Sequence, residues 1–246
     1  MKNRSLIFAA LFGVLCLSAC DEGDIREANV GYAQGGYTVK LHGRLTGLAQ
    51  WDDGQGVVLA AFDDKDRDYD MGEMQIPAAC EGKDTTLVWT HINSTATTVE
   101  LCVATRLRRR VATFQRAAFD QHGDTLVLEV GDLYVGRFGA VEALFAHDRK
   151  CVGCHGEGNL GQLQLDKEHA YANLVNQPSR RAEFDGAMRV VPGNAEASAL
   201  HLMLDPASEK GQGVTMFNHK AAYGDAINQQ FALSVIDQWI NAGAMR

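Results

Sequence analysis

Cys151 and Cys154 are followed at once by His155, and this spacing is the clearest chemical signal in the chain. A Cys-x-x-Cys-His motif is the attachment signature of covalent haem c, in which two thiols add to vinyl groups and the histidine binds iron. The two-residue gap suits one helical turn, which brings both sulfurs to the same porphyrin edge. No other Cys-x-x-Cys pair occurs in the sequence, so we expect one haem. A zinc site would need further Cys or His ligands in a matching cluster, and the sequence offers no obvious one.

The N-terminal segment predicts export, and covalent haem attachment takes place outside the cytoplasm. Lys2 and Arg4 precede an apolar stretch at 6–17. That stretch is too short to cross a bilayer, which requires about 20 apolar residues. A short basic region followed by a short apolar one is typical of a signal peptide that is removed from the mature protein.

The end of this segment predicts a lipid anchor. Residues 17–20 read Leu-Ser-Ala-Cys and resemble the lipobox of bacterial lipoproteins, which implies cleavage before Cys20 and a lipid on its sulfur. Several acyl chains hold a protein stably on a membrane, since each buried methylene contributes about 0.8 kcal/mol. An ordinary signal peptide with an incidental cysteine is the alternative. We expect a signal peptide at 1–19, a tether at 20–36 and a periplasm-facing protein anchored in the bacterial cell envelope.

Export also bears on the two remaining cysteines of the mature chain, Cys80 and Cys102. An even pair in an oxidising compartment favours a disulfide. Closing this loop would stabilise the fold by roughly 3 kcal/mol on a chain-entropy estimate. Two buried free thiols are the alternative.

Composition limits the classes of protein to consider. The chain has 246 residues, of which 46% are hydrophobic and 22% charged, and this balance excludes wholesale disorder. The length suits two modest domains. The formal net charge of −8 disfavours binding to nucleic acid and favours partners with basic patches.

The first predicted domain, at 37–138, carries short alternating and β-branched runs separated by turn signals. This pattern predicts an antiparallel β-sandwich of six or seven strands. The predicted strands cover 37–45, 56–62, 85–90, 97–103, 110–114 and 125–130.

Two charged clusters lie within this predicted domain. Aspartates alternate at 64, 66, 68 and 70, like the start of a calcium loop, but Tyr69 and Gln75 occupy the positions where an EF-hand needs Gly and Glu. We therefore do not expect calcium and predict a solvated acidic hairpin tip. The arginines at 106 and 108–110 predict a polar strand edge, with a docking patch as the alternative.

The second predicted domain, at 139–246, has apolar residues at helical spacing. One helix leads into the haem motif from 141. Asp166 and Asn194 are in N-cap positions for two further helices, and the last helix spans 227–242. The apolar stripe of that last helix comprises Phe231, Val235, Ile236, Trp239 and Ile240.

A helix that ends in Cys-x-x-Cys-His, short intermediate helices and a C-terminal amphipathic helix with an aromatic residue resemble class I cytochrome c. The chain more closely resembles the cytochrome c-like domains common in planctomycete-type proteins. The segments that carry this resemblance are 151–156, 163–166, 191–200 and 239–244, within a region of about 141–246. The resemblance implies an all-α class I cytochrome c domain.

The resemblance also implies that Met216 is the distal iron ligand, although Phe217 stands where that family usually has Pro. His219 is the alternative distal ligand. Met203 and Met188 are weaker candidates, because both lie where core packing explains a methionine. A thioether ligand raises the potential of the iron relative to bis-histidine ligation.

These features predict a membrane-anchored cytochrome that carries single electrons between extracytoplasmic redox proteins and is not an enzyme. The sequence contains neither Gly-x-Ser-x-Gly nor His-Glu-x-x-His. Two alternatives stay open: a haem-based enzyme or gas or redox sensor with an open or bis-histidine iron site, and a partner-binding module that uses the β domain.

Overall fold

Seven β-strands and five α-helices make up a mixed α+β fold in the part of the chain that the structure describes. This computed structural model describes residues 36–51, 54–63, 68–120, 125–147, 151–157, 160–211 and 217–246. The strands are β1 (Tyr37–Thr46), β2 (Gln55–Phe62), β3 (Gly72–Gln75), β4 (Asp84–Ile92), β5 (Thr98–Thr105), β6 (Arg110–Ala118) and β7 (Thr125–Tyr134). The helices are α1 (Arg137–Ala146), α2 (Val152–His155), α3 (Ala170–Leu174), α4 (Ala199–Leu204) and α5 (Ala226–Asn241).

The strands form two sheets. Sheet A has the order β4-β1-β7, and sheet B has the order β3-β2-β5-β6. All pairs of sheet B are antiparallel. In sheet A, β1 is antiparallel to β4 but parallel to β7. The prediction of an antiparallel sandwich is therefore wrong for one pair, because side-chain alternation does not encode strand direction.

The two sheets share one apolar core. Sheet A contributes residues such as Leu41 and Leu128, and sheet B contributes residues such as Leu59 and Leu101. Successive side chains of a strand point to opposite faces, so the alternating runs place every second residue in this core. In β2, Val57 through Phe62 are all buried, because the outer face of sheet B is covered as well.

Cys80 and Cys102 are both free thiols, so the predicted disulfide is absent. Cys80 belongs to the core between the sheets. Cys102 belongs to a separate cluster with Val58 and Phe62 on the other face of sheet B. Because neighbouring residues of a strand alternate between faces, Leu101 faces Cys80's cluster and Cys102 faces away from it. Burial raises the pKa of the Cys102 thiol well above its usual range.

The two predicted charged clusters meet each other. Nε of Arg108 donates to the carboxylate of Asp70 at 2.8 Å, and the guanidinium of Arg109 donates to Asp68 at 3.1 Å. Arg109 is itself buried. The predicted acidic tip and basic edge are thus partly an ion-paired contact, while positions 64 and 66 lie outside the described residues.

The helices pack against each other and against sheet B. Phe138 of α1 lies 5.0 Å from Trp239 of α5 and 5.3 Å from Tyr171 of α3, between ring centroids. The same apolar cluster includes Val103 and Ala112 of sheet B. Residues 35–246 therefore form one compact unit. The predicted boundary between 37–138 and 139–246 falls inside α1 and stays a prediction.

Two helices are shorter than the sequence predicts. The side chain of Asp166 accepts from the backbone N–H of His169 at 3.2 Å, but α3 begins only at Ala170. Asn194 accepts from the N–H of Ala197 at 3.0 Å, and α4 begins only at Ala199. In both places the capping residue closes a turn that precedes the helix. The last helix agrees with the prediction to within one residue at each end.

Several predicted features lie outside the described residues: the signal peptide at 1–19, the lipidation site at Cys20, most of the tether and the predicted iron ligand Met216. Within the described ranges, no helix is both long and apolar enough to span a membrane.

Candidate functional site

A cavity of about 400 Å³ lies beside the Cys-x-x-Cys-His segment. Its volume falls in the range of cofactor sites in proteins, roughly 300–1,000 Å³. Much of the wall is apolar and comes from α1, α3, α4 and the loops between them: Phe145, Leu163, Leu165, Leu174, Leu200 and Leu204. The side chains of Cys151, Cys154 and His155 line the same cavity. The structure thus brings the predicted haem-attachment residues together at one apolar cavity.

The attachment motif forms a single helical turn. The N–H groups of Cys154 and His155 donate to the carbonyl of Cys151 at 3.2 and 2.8 Å. Gly156 ends the turn, and an added Cβ there would lie only 2.4 Å from the carbonyl oxygen of Val152. A residue with a side chain at position 156 would therefore collide with the turn that presents the two cysteines.

The ring of His155 is oriented by a backbone carbonyl. Its Nδ1 lies 2.8 Å from the carbonyl oxygen of Leu160. Because a carbonyl can only accept, we assign the proton to Nδ1, which leaves the Nε2 lone pair available to a metal ion. Burial lowers the pKa of His155, against the effect of the Leu160 carbonyl. The neutral imidazole, which is the metal-binding form, is thereby favoured.

A second histidine also lines the cavity. The ring of His219 lies 6.3 Å from the ring of His155 between centroids, with 44° between the ring planes. Phe217 packs edge-to-face on His219 at 5.3 Å. Burial lowers the pKa of His219, and the positive charge that His155 can carry lowers it further. Two neutral imidazoles are therefore favoured at this cavity.

Arginines border the cavity on another side. Arg189 donates to the carbonyls of Asn173 and Gln162, each at 2.8 Å. Burial and the nearby charge of Arg180 lower the pKa of Arg189. Arg180 and Arg181 line the cavity as well. Guanidinium groups bind carboxylates in a bidentate manner, so this rim is suited to an anionic edge of a bound group.

The structure places four of the predicted cofactor and iron-binding residues, Cys151, Cys154, His155 and His219, at one cavity. Met203 lines it too, whereas Met188 is 40% exposed and is not part of its lining. Sequence reasoning missed the arginine rim, because arginines at 180, 181 and 189 are ordinary in a polar loop. It also missed the hydrogen bond between His155 and the Leu160 carbonyl, because the types of the side chains do not reveal which backbone carbonyl will accept a bond.

The described residues contain no group of three or more His, Cys, Asp and Glu side chains that could hold a metal ion by themselves. Neither protein-family models, nor curated protein sequences, nor solved structures match this chain.

Proposed function

We propose that this chain is a lipid-anchored monohaem c-type cytochrome that carries single electrons between extracytoplasmic redox proteins. The observation that carries the proposal is the cavity lined by Cys151, Cys154 and His155, with the Nδ1 of His155 held by the Leu160 carbonyl. A Cys-x-x-Cys-His sequence that arose by chance would not be expected to line an apolar cavity with the volume of a cofactor site.

The residues at the cavity fit a covalently attached haem. Each thiol would add across one vinyl group, so that a carbon–sulfur bond forms, the proton ends on the other carbon and no oxidant is needed. His155 would bind the iron through Nε2. Arg180 and Arg189, which line the cavity, would lie beside the propionates and offset their charge. When bound, the haem supplies an iron that accepts one electron from a reduced partner and passes it to an oxidised one.

Other residues at the cavity would influence the potential of a bound haem and the orientation of His155. Leu163, Leu165 and Leu174 give the cavity an apolar wall, and an apolar surrounding is one of the means by which a protein sets a haem potential. The fixed Leu160–His155 hydrogen bond keeps the imidazole in one orientation, as outer-sphere partners of ligating histidines do. A histidine held in this way would not have to turn when a bound iron changes charge, which would keep the rearrangement during electron transfer small.

The finer fold assignment belongs to the same proposal. We infer a class I cytochrome c domain at 139–246 that follows the β-sandwich. In support, α1 leads into the attachment turn and packs on the C-terminal helix α5 through Phe138 and Trp239. The anchor rests on Cys20 and the sequence around it, and the partners are redox proteins whose basic patches suit the acidic chain.

Covalent attachment tests the proposal. The full chain is produced with a haem-maturation system, unfolded and extracted with acid acetone. We expect haem to stay with the polypeptide in the wild type and in Cys80→Ala, a matched control outside the motif. We expect Cys151→Ala/Cys154→Ala to lose it. Haem that leaves the wild-type protein with the solvent would overturn the assignment.

A further inference from the structure

We infer that His219, rather than Met216, is the second axial ligand of the iron. The inference rests on the proposed haem and on one distance, the 6.3 Å between the ring centroids of His155 and His219. Both rings line the same cavity.

This distance matches what two imidazoles on opposite sides of one metal ion require. A metal–nitrogen bond to histidine is about 2.0 Å long, and the ring centroid lies about 1.1 Å beyond the nitrogen, so two such rings stand roughly 6 to 6.5 Å apart. Two histidines that merely stack have ring centroids closer together than this. The 44° between the rings is compatible with such a pair, because each ring can rotate about its own metal–nitrogen axis.

The backbone that carries His219 is fixed by contacts with two helices, α4 and α5, and by a local hydrogen bond. The ammonium group of Lys220 donates to the carbonyls of Leu202, Asp205 and Ser208 at 2.7, 2.7 and 3.1 Å. These carbonyls lie in and just after α4, so Lys220 ties the histidine's segment to the C-terminal end of that helix.

The buried side chain of Gln229 forms the second tie. Its amide nitrogen donates to the carbonyls of Leu204 and His219 at 2.7 and 3.3 Å, and its oxygen accepts from the N–H of Tyr223 at 3.0 Å. Asn218 adds a third tie, since its side chain accepts from the N–H of Lys220 at 3.1 Å. These ties fix the backbone that carries His219, and a preorganised backbone favours metal binding by its side chain.

Met203, the rival ligand that the structure describes, is placed less well. Met203 lines the cavity, but its sulfur packs on Gly211, where an added Cβ would lie 2.8 Å from Sδ. Gly211 has a φ of +73°, a left-handed conformation that glycine adopts without strain. The sulfur of Met203 therefore serves the contact between α4 and this turn. Met216, the residue implied by the family resemblance, lies outside the described residues.

Two histidines on the iron would close both of its faces. The protein would then be an electron carrier with no free site for a gas or peroxide, and its potential would lie below that of a His/Met site. This sets it apart from the family pattern that the sequence resembles.

Spectroscopy of the full holoprotein tests the inference. We expect the ferric wild type to lack the near-infrared sulfur–iron band and the ferrous wild type to resist carbon monoxide. We expect His219→Ala to bind carbon monoxide and to regain the wild-type spectrum on addition of free imidazole. Met216→Ala should keep the wild-type spectrum and potential, and Met188→Leu, at an exposed residue outside the cavity lining, is the matched control.

A near-infrared band in the wild type that Met216→Ala removes would overturn the inference. An unchanged spectrum in His219→Ala would overturn it as well. If His219→Ala fails to fold, the wild-type spectrum and the two methionine variants still decide the question. Acid-acetone extraction of the same samples separates the two proposals. Haem that stays with the protein while the spectra show a ligand other than His219 refutes only the inference about His219. Haem that leaves with the solvent refutes the proposal that the protein is a c-type cytochrome.

Discussion

A substitution at Gln229 tests how the fold holds His219, the distal ligand that we infer. Its side chain is fully buried and makes three hydrogen bonds, two from its amide nitrogen and one to its oxygen. We expect Gln229→Met to remove all three while keeping the length and approximate volume of the side chain. The change leaves the carbonyls of Leu204 and His219 and the N–H of Tyr223 without this partner.

The expected cost follows from those three bonds. A net protein hydrogen bond contributes roughly 0.5–1.5 kcal/mol, and a buried group left without a partner costs about 1–3 kcal/mol. The bond to the His219 carbonyl is long, at 3.3 Å, so most of the loss comes from Leu204 and Tyr223. We expect the free energy of unfolding to fall by about 2–4 kcal/mol, since these two bonds dominate.

Two measurements check this prediction. Denaturant unfolding gives the change in stability, and the rate at which free imidazole or carbon monoxide enters the iron site gives the freedom of His219. Gln230→Met is the matched control, because Gln230 is the exposed neighbour on the same helix, and surface changes usually alter stability by less than about 0.5 kcal/mol. A Gln229→Met protein as stable as this control would refute the reasoning. A destabilised protein with unchanged ligand entry would show that Gln229 supports the core but does not position His219.

Two further predictions concern the anchor and sheet A. We expect Cys20→Ser to release the protein from the detergent phase in a phase-separation assay, whereas wild type in the aqueous phase would contradict the lipid anchor. We expect an NMR titration to give His42 a pKa above its ordinary value, because its ring hydrogen-bonds to Glu129 at 2.7 Å and Asp84 adds negative charge. The protonated ring then stabilises the fold at low pH, and this contribution is lost as the pH rises through the folded-state pKa. Glu129→Gln should lower that pKa, and an unshifted titration would contradict the pairing.

The strands were the most predictable part of the fold. The β-branched and apolar run at 125–130 predicts a strand, and burial alternates along β7, where the apolar Val127 lies on the exposed face. The short strand β3, Gly72–Gln75, was missed because four residues that include a glycine carry no period. The sequence did not predict the directions of the strands or the faces of sheet B on which Cys80 and Cys102 lie, since both depend on which strands become neighbours.

The sequence predicted only the part of the candidate site whose residues are close together in the chain. The Cys151–His155 motif fits within one helical turn, so the sequence alone shows it. The support of His219 depends on Gln229 and on the carbonyls at the end of α4, which are distant in sequence. Met216, the ligand implied by the resemblance, and His219, the ligand that we infer, lie three positions apart in one segment. The sequence pattern does not choose between them, because the distance from His155 to His219 depends on the fold.

The central place of β1 in sheet A has a consequence for how the protein is made. If the chain is exported N-terminus first, as we propose, Tyr37–Thr46 emerges early, but the parallel partner of this strand starts only at Thr125. Pairing between such distant segments is slow to form. Until Thr125 arrives, one edge of β1 stays open, and open strand edges recruit other chains. On the proposed export route, sheet A is completed shortly before Cys151 emerges, and export intermediates that stall earlier should aggregate or be degraded before they could receive the proposed haem.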